Sequence, residues 1–591
     1  MDDHDRPNYW SKRTNRRRLL GSAGVAGAGV AALGLVGCGG GNTSSSGASS
    51  LATPTPAANA SATVDPFAGA KKGGILNVTS VTDPPTIDPF GNVSYTTKGL
   101  AAYVYSRLYM YKAAPGILGS DVKPTPDGAE SAEVTPDNLK WTIKLRKNLN
   151  FHNVAPVNGR AVTTDDVKFS YGRATDPKNG NASRLTSVID KVEYPDASTI
   201  IMTLKSPYAP FLDLLADTNV LFIMPTESDT KFNPTTTMIG SGPWLFGSYT
   251  PSVGFKFNRN PNWWNTGFPL LDSINNAIIP DYPTRLAQFL AGNTDAEGPV
   301  ADDLVSLKAQ IKDVQLYGSI SQQDSWLYLD SDPTSPWNKD DRVRQAISMS
   351  QDRDALTDLT YNIKKLKAAG LNVSGPWNNV IPAGMTRFWL DPQSKDQGDS
   401  AQFFKYDVTN AKKLLSAAGY PDGFSTNYIY SANAYGAGFN SMAEAGIAYL
   451  NAIGIKTTTD VQDYPTKYFT QTFVGNFKGI ACGLETPFPE GGSYPQRLFL
   501  DNPNNHSKIT KDQQLIDLTN KQQVEMDETR RKALLWQIQQ INAQHMYYVP
   551  FQYGAGTVWA AYQPWMKNSM DFHTTGYGGA TEVTPYIWKN K

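Results

Sequence analysis

Cysteine is nearly absent from this chain of 591 residues: Cys38 and Cys482 are the only two. Cys38 lies in an attachment motif described below, so Cys482 has no partner, no disulfide is available, and the fold must stand on its core alone. Histidine is almost as scarce. His4, His152, His506, His545 and His573 are scattered without a close pair, which argues against a zinc set or any structural metal site. No Gly-x-x-x-x-Gly-Lys-Ser/Thr loop is present for nucleotide phosphates and no Gly-x-Ser-x-Gly elbow for a serine nucleophile, and no cofactor is expected. Basic and acidic residues number 54 each, leaving no positive surplus to neutralise the phosphates of a nucleic-acid partner. Adjacent carboxylates do occur, at Asp165-Asp166 and Asp340-Asp341. Each pair stands where a helix begins, where an acid satisfies orphan N–H groups and the positive end of the helix dipole, so capping is the expectation and catalysis is not.

The chain opens instead with an address. Arg16-Arg17-Arg18-Leu19-Leu20, a weakly hydrophobic Gly/Ala/Val/Leu run and Leu35-Val36-Gly37-Cys38 fit an export signal of the twin-arginine type over residues 1–37, with Cys38 as the lipid attachment site. The alternative is an uncleaved anchor from Leu19 to Gly37, long enough to span a bilayer but too rich in Gly and Ala for a good membrane helix. Either reading places the body of the chain outside the cytoplasmic membrane, held to its outer face at one end. Residues 38–72 are dominated by Gly, Ser, Thr, Ala and Pro and read as a flexible tether. The rest is far larger than one hydrophobic core supports, so at least two lobes are expected.

That remainder alternates strand and helix periods. Trp141 to Arg146 alternates apolar and polar residues as a half-buried strand does, and Val253, Phe255 and Phe257 repeat the pattern. Thr163 caps a helix with Val167, Ser170, Tyr171 and Ala174 on one face, and Asp340 precedes a stripe of Val343, Ala346 and Ile347. Asp407 starts a helix with Ala411, Leu414, Leu415 and Ala418 inward, stopped by Gly419 and Pro421. Leu534, Ile538 and Ile541 recur at helical spacing. A helix bearing Met442, Ala445, Tyr449 and Leu450 runs through Gly454 into the alternating Ile455, Thr457, Thr459 and Val461, a helix feeding a strand as in α/β lobes.

Six blocks then stand in a telling order. They are Lys72-Gly73-Gly74-Ile75-Leu76 with Pro85-Thr86-Ile87-Asp88-Pro89; Phe151-His152-Asn153 through Thr163-Thr164-Asp165-Asp166-Val167; Gly240-Ser241-Gly242-Pro243-Trp244; Asn258-Arg259-Asn260-Pro261-Asn262-Trp263-Trp264; Pro336-Trp337 through Asp352-Arg353; and Tyr406-Asp407 through Gly423-Phe424. Together they resemble the dipeptide- and oligopeptide-binding family 5 of ABC-transporter solute-binding proteins, over nearly the whole chain beyond the tether. The resemblance implies an α/β, two-lobed fold of the type II periplasmic-binding-protein kind, with a hinged ligand cleft. Lobe I would take residues 73–325, with an inserted subdomain at about 96–235, and the returning residues 551–591; lobe II would be residues 326–550. It makes His152 part of a structural turn. It also implies a receptor without covalent chemistry: a solute touching both lobes stabilises the closed state, which a membrane permease with separate ATPase subunits recognises.

For the ligand site the resemblance points to Trp326, Tyr328, Tyr105 and Tyr553, in segments that the family places around its cleft, among 13 Trp and 29 Tyr that are mostly core. In the family's peptide binders an aspartate in a glycine-rich strand-to-loop segment pairs with the ligand's α-amino group. The matching stretch here, Ala481 to Glu490, puts Glu485 in the acid's place and Cys482 where an aromatic is usual, so peptide specificity stays open beside an oligosaccharide. A rival of another class, a membrane-tethered envelope hydrolase, would need convergent carboxylates or a nucleophile with its base, and the sequence shows no such set.

Overall fold

The computed structural model of the chain describes residues 65–590, apart from 120, 486, 503–504 and 575–581. The export signal, Cys38 and most of the tether lie outside the described residues.

The apolar residues segregate into separate cores. In the first lobe, strands Ile75–Ser80, Ser273–Ile278, Gly254–Arg259 and Trp244–Thr250 form a four-stranded sheet in that order. A second sheet of Ala129–Val134, Lys140–Leu145, Thr199–Leu204 and Ile189–Asp196 is wholly antiparallel. Leu76, Ile143, Ile200, Phe257 and Ile274 from these sheets share one apolar cluster, which Met566 and Ile587 of the C-terminal segment complete. Phe255 and Phe257 are buried as their alternation requires. Val253 is not: the strand starts only at Gly254, and Val253 stands 63% exposed in the preceding turn, where Ser252 has φ +61°.

The second lobe is built on one five-stranded sheet, ordered Ile455–Val461, Phe424–Tyr430, Ile480–Glu485, Asp324–Leu329 and Val549–Pro550. Phe424–Tyr430 is parallel to both its neighbours, the mark of helical crossovers. The two-residue period of the central strands divides their side chains between two cores. Leu327, Leu329, Cys482 and Leu484 join helix residues Val343, Ile347, Leu415 and Met442 on one face. Trp326, Tyr328 and Ala481 join Tyr468, Tyr494, Leu535 and Tyr548 on the other. Covered on both faces, these strands read as continuous apolar runs instead of alternating ones. Cys482 is a free thiol packed beside the Tyr428 hydroxyl, and burial pushes its pKa up to about 12.

Helix starts follow the expected caps. Asp166 accepts the Thr163 N–H at 2.9 Å and both terminal nitrogens of Arg160, while Asp340 and Asp407 accept the N–H of Arg342 and Asn410 at 2.9 Å. Asp166 and Asp340 are thus tied up in helix starts.

Two chain crossings connect the five-stranded sheet to a three-stranded one of Ala296–Glu297, Thr557–Tyr562 and Gln315–Ile320. The outgoing crossing is residues 321–323 and the returning one residues 551–556. They run side by side: Phe551 N donates to Ser325 O at 2.8 Å and Ser325 Oγ to Tyr553 O at 3.0 Å. Gly554 has φ +89°, and a Cβ there would lie 2.1 Å from Gln323 O, so only glycine lets the crossings approach. Away from the crossings the lobes also touch, through Ala209 N to Gln523 O at 2.6 Å and Lys123 Nζ to Glu528 Oε2 at 3.3 Å.

Candidate ligand-binding site

Antiparallel register sets Asp324 opposite Glu485, Trp326 opposite Gly483 and Tyr328 opposite Ala481. Directly opposed residues point to the same face, so Glu485, Trp326 and Tyr328 share one side of the sheet. Gly483 makes room for the rings, since a Cβ would sit 2.1 Å from the Tyr468 hydroxyl and 2.8 Å from the Tyr328 ring.

Glu485 is almost completely buried and pairs with a cation. Arg497, from the helix Ser493–Phe499, brings Nε within 3.0 Å of Oε2, and His506 Nε2 lies 3.4 Å from the same oxygen. His506 Nδ1 faces the Phe473 carbonyl. The His506 ring stacks on Tyr328 with centroids 4.4 Å apart. Asp324 begins the neighbouring strand, fully buried, its Oδ1 accepting from Ser325 N at 2.8 Å and its Oδ2 in no well-formed hydrogen bond. Burial drives its carboxyl well above the ordinary carboxylate range; Glu485 adds to the push, while the Ser325 N–H and the Trp326 indole pull the other way.

From Glu485 the chain runs toward the first lobe. Glu490, five residues on, is buried against Arg531 at 2.6 Å and lies close enough to Asp213 and Tyr111 of the first lobe to perturb both. Tyr494, on the same helix as Arg497, donates to Gln322 O in the outgoing crossing at 2.5 Å. The face carrying Trp326, Tyr328 and Glu485 therefore ends at the junction of lobes and crossings, with both rings completely buried in the second lobe's core and the Glu485–Arg497 pair at its end.

The other two expected residues lie elsewhere. Tyr553 sits in the returning crossing, its hydroxyl donating to Tyr435 O at 3.2 Å and its ring 5.6 Å from Phe439. Tyr105 does not join the group: it is fully buried in the first lobe's core, its ring 6.1 Å from Phe222. The Gly240-Ser241-Gly242 block packs on that backbone, as a Cβ on Gly240 would meet Val104 O at 2.1 Å. Sequence reasoning missed Asp324, Arg497 and His506. Asp324 is the one with a signal, since it precedes Trp326 and Tyr328 by the two-residue step of a strand face. No three His, Cys, Asp or Glu side chains among the described residues converge as a metal-ligand group.

A glutathione-binding protein, GsiB, of Salmonella choleraesuis strain SC-B67 is 28% identical over 388 residues, 64% of this chain and 67% of its own length. Among solved structures, DppA of Helicobacter pylori in complex with the peptide STSA superposes with a TM-score of 0.69 at 22% identity, over 88% of this chain and 99% of that one. AgaA of A. tumefacien R10 with agropinic acid gives 0.69 at 23% identity, with the same coverage. These likenesses establish the two-lobed fold. The sequence pattern of the bacterial extracellular solute-binding proteins, family 5, matches residues 123–506, and the chain belongs to that family.

Proposed function

We propose that this family 5 solute-binding protein captures a zwitterionic solute, a short peptide or a similar amino-acid derivative, between its lobes and passes it to an ABC permease. On this reading a diacylglyceryl group on Cys38 holds the protein at the outer face of the membrane. The observation that carries the ligand class is the Glu485–Arg497 pair at the end of the buried strand. A ligand with one charge would leave half of that pair unmatched in a water-poor site, at a cost of several kcal/mol. A zwitterion exchanges for it without net burial of charge, its ammonium taking Glu485 and its carboxylate Arg497, while the half-buried Tyr553 borders the apolar part and Trp326 and Tyr328 back the site from the core. A neutral oligosaccharide fits the aromatic residues but not the ion pair.

Calorimetry with a free dipeptide or tripeptide, its N-acetylated form and a neutral oligosaccharide tests this. The free peptide is expected to bind best, and both N-acetylation and Glu485→Gln to cost about 2–5 kcal/mol. Equal affinity of the free and acetylated peptides would remove Glu485 from ligand recognition. Native mass spectrometry of the protein from its own host would name the solute.

A further inference from the structure

Two sequence blocks have no part in the cleft, yet the fold brings them together. Residues 148–159 and 261–266 wall a pocket of about 520 Å³ made wholly of first-lobe residues. Its polar lining includes five asparagines, Asn148, Asn150, Asn153, Asn158 and Asn262, and no charged residue lines it. Its apolar part is Phe151, Trp263 and Trp264.

The aromatic part is rigidly built. The Arg146 guanidinium covers one face of the Trp264 ring, 3.8 Å from its centroid, and the Trp264 indole N–H donates to Asp127 Oδ1 at 2.9 Å. Arg160 lies 4.9 Å from the Phe151 ring. Trp263 is 3% exposed, and its indole N–H is buried without an acceptor. Some rim amides are fixed by backbone bonds that leave their carbonyl oxygens open: Asn148 Nδ2 donates to Trp264 O at 3.2 Å and Asn158 Nδ2 to Pro156 O at 3.1 Å. Asn153 and Asn262 make no side-chain hydrogen bond among the described residues and keep both donor and acceptor.

We propose that this pocket is a second binding site, independent of the solute cleft, for the end unit of an uncharged oligosaccharide. Amides that donate and accept side by side match neighbouring hydroxyls, which do the same, and the half-buried Trp264 ring, set on the buried Phe151 and Trp263, matches the apolar C–H face of a pyranose. An anion or cation finds no opposite charge in the lining, and a purely apolar ligand would strand the amides. Because no second-lobe residue contributes, binding here needs no closure and stands whatever the cleft holds.

The test titrates the purified protein with chitotetraose, cellotetraose and maltotetraose, followed by calorimetry and tryptophan fluorescence, with and without a saturating peptide. At least one of these neutral probes is expected to bind saturably whether or not peptide is present. The double variant Asn153→Ala, Asn262→Ala, which removes no internal hydrogen bond, is expected to weaken it about tenfold with peptide affinity and Tm unchanged. The proposal is overturned if no probe saturates at tens of millimolar, if peptide displaces the sugar, or if the double variant binds as well as the parent.

Discussion

His152 shows how one side chain ties a turn to a strand lead-in. Its Nε2 faces Gly242 O at 3.0 Å and its Nδ1 accepts from Gly240 N at 3.4 Å, which fixes a neutral ring with the proton on Nε2. Complete burial pushes the imidazole down to about 4 from its ordinary 6.5, against the raising effect of the Gly242 carbonyl. A base with a depressed folded pKa leaves stability intact above pH 6.5. As pH falls from 6.5 towards 4 the unfolded chain takes up a proton that the fold refuses, and stability is lost. The loss is on the order of 3 kcal/mol. Urea unfolding at pH 7.5 and pH 4.5 should show this acid-side loss in the parent and a smaller one in His152→Gln; identical losses would mean that the ring is not neutral in the fold.

The two crossings are the element on which lobe movement must turn. Gly554 at φ +89° touches Gln323 O, and its N–H is held by the Tyr361 hydroxyl at 2.7 Å. Gly554→Ala is expected to cost about 1–3 kcal/mol from backbone strain and to slow closure as seen by stopped-flow fluorescence, whereas Gly436→Ala, where the added Cβ meets nothing within 4 Å, should show the φ penalty alone. Much at this scale was legible in the sequence, because its causes are local. Thr163 to Asp166, Asp340 and Asp407 cap what they precede, and the helix-to-strand switch at Gly454 stands where the period changes. Val253 failed because alternation does not say where a turn ends. Arg497 and His506 were illegible for another reason: they reach Glu485 from 12 and 21 residues away through a helix and a loop, and no spacing encodes such a meeting.

At the scale of the whole molecule, acids of the two lobes stand close together, an arrangement that lobe closure on the proposed reading would create. Asp213, on a first-lobe helix, accepts weakly from the Tyr111 hydroxyl at 3.4 Å and faces Glu490, Arg387 and Arg531 of the second lobe. Burial, reinforced by Glu490, lifts its carboxyl to about 7, against the two arginines. Opening would return it to water near its ordinary 3.8, so the closed form holds the extra proton. Closure should therefore strengthen as pH falls through 7 and weaken as it rises. Affinity for the cleft ligand is expected to be on the order of tenfold higher at pH 5.5 than at pH 8, and nearly level in Asp213→Asn. A flat profile in the parent would show that Asp213 does not change surroundings on closing. The second lobe carries a clock of its own in Cys482. Its thiol is sealed between sheet and helices and held protonated by burial. A form of the chain that begins beyond Cys38 should ignore a thiol-reactive dye at neutral pH whether or not the cleft solute is present. It should take up one dye per chain only when the five-stranded sheet comes apart, so the labelling half-time reads the lifetime of that lobe. Rapid labelling of folded protein would contradict the seal, and slow labelling that quickens with urea but not with solute would separate unfolding from the motion that serves transport.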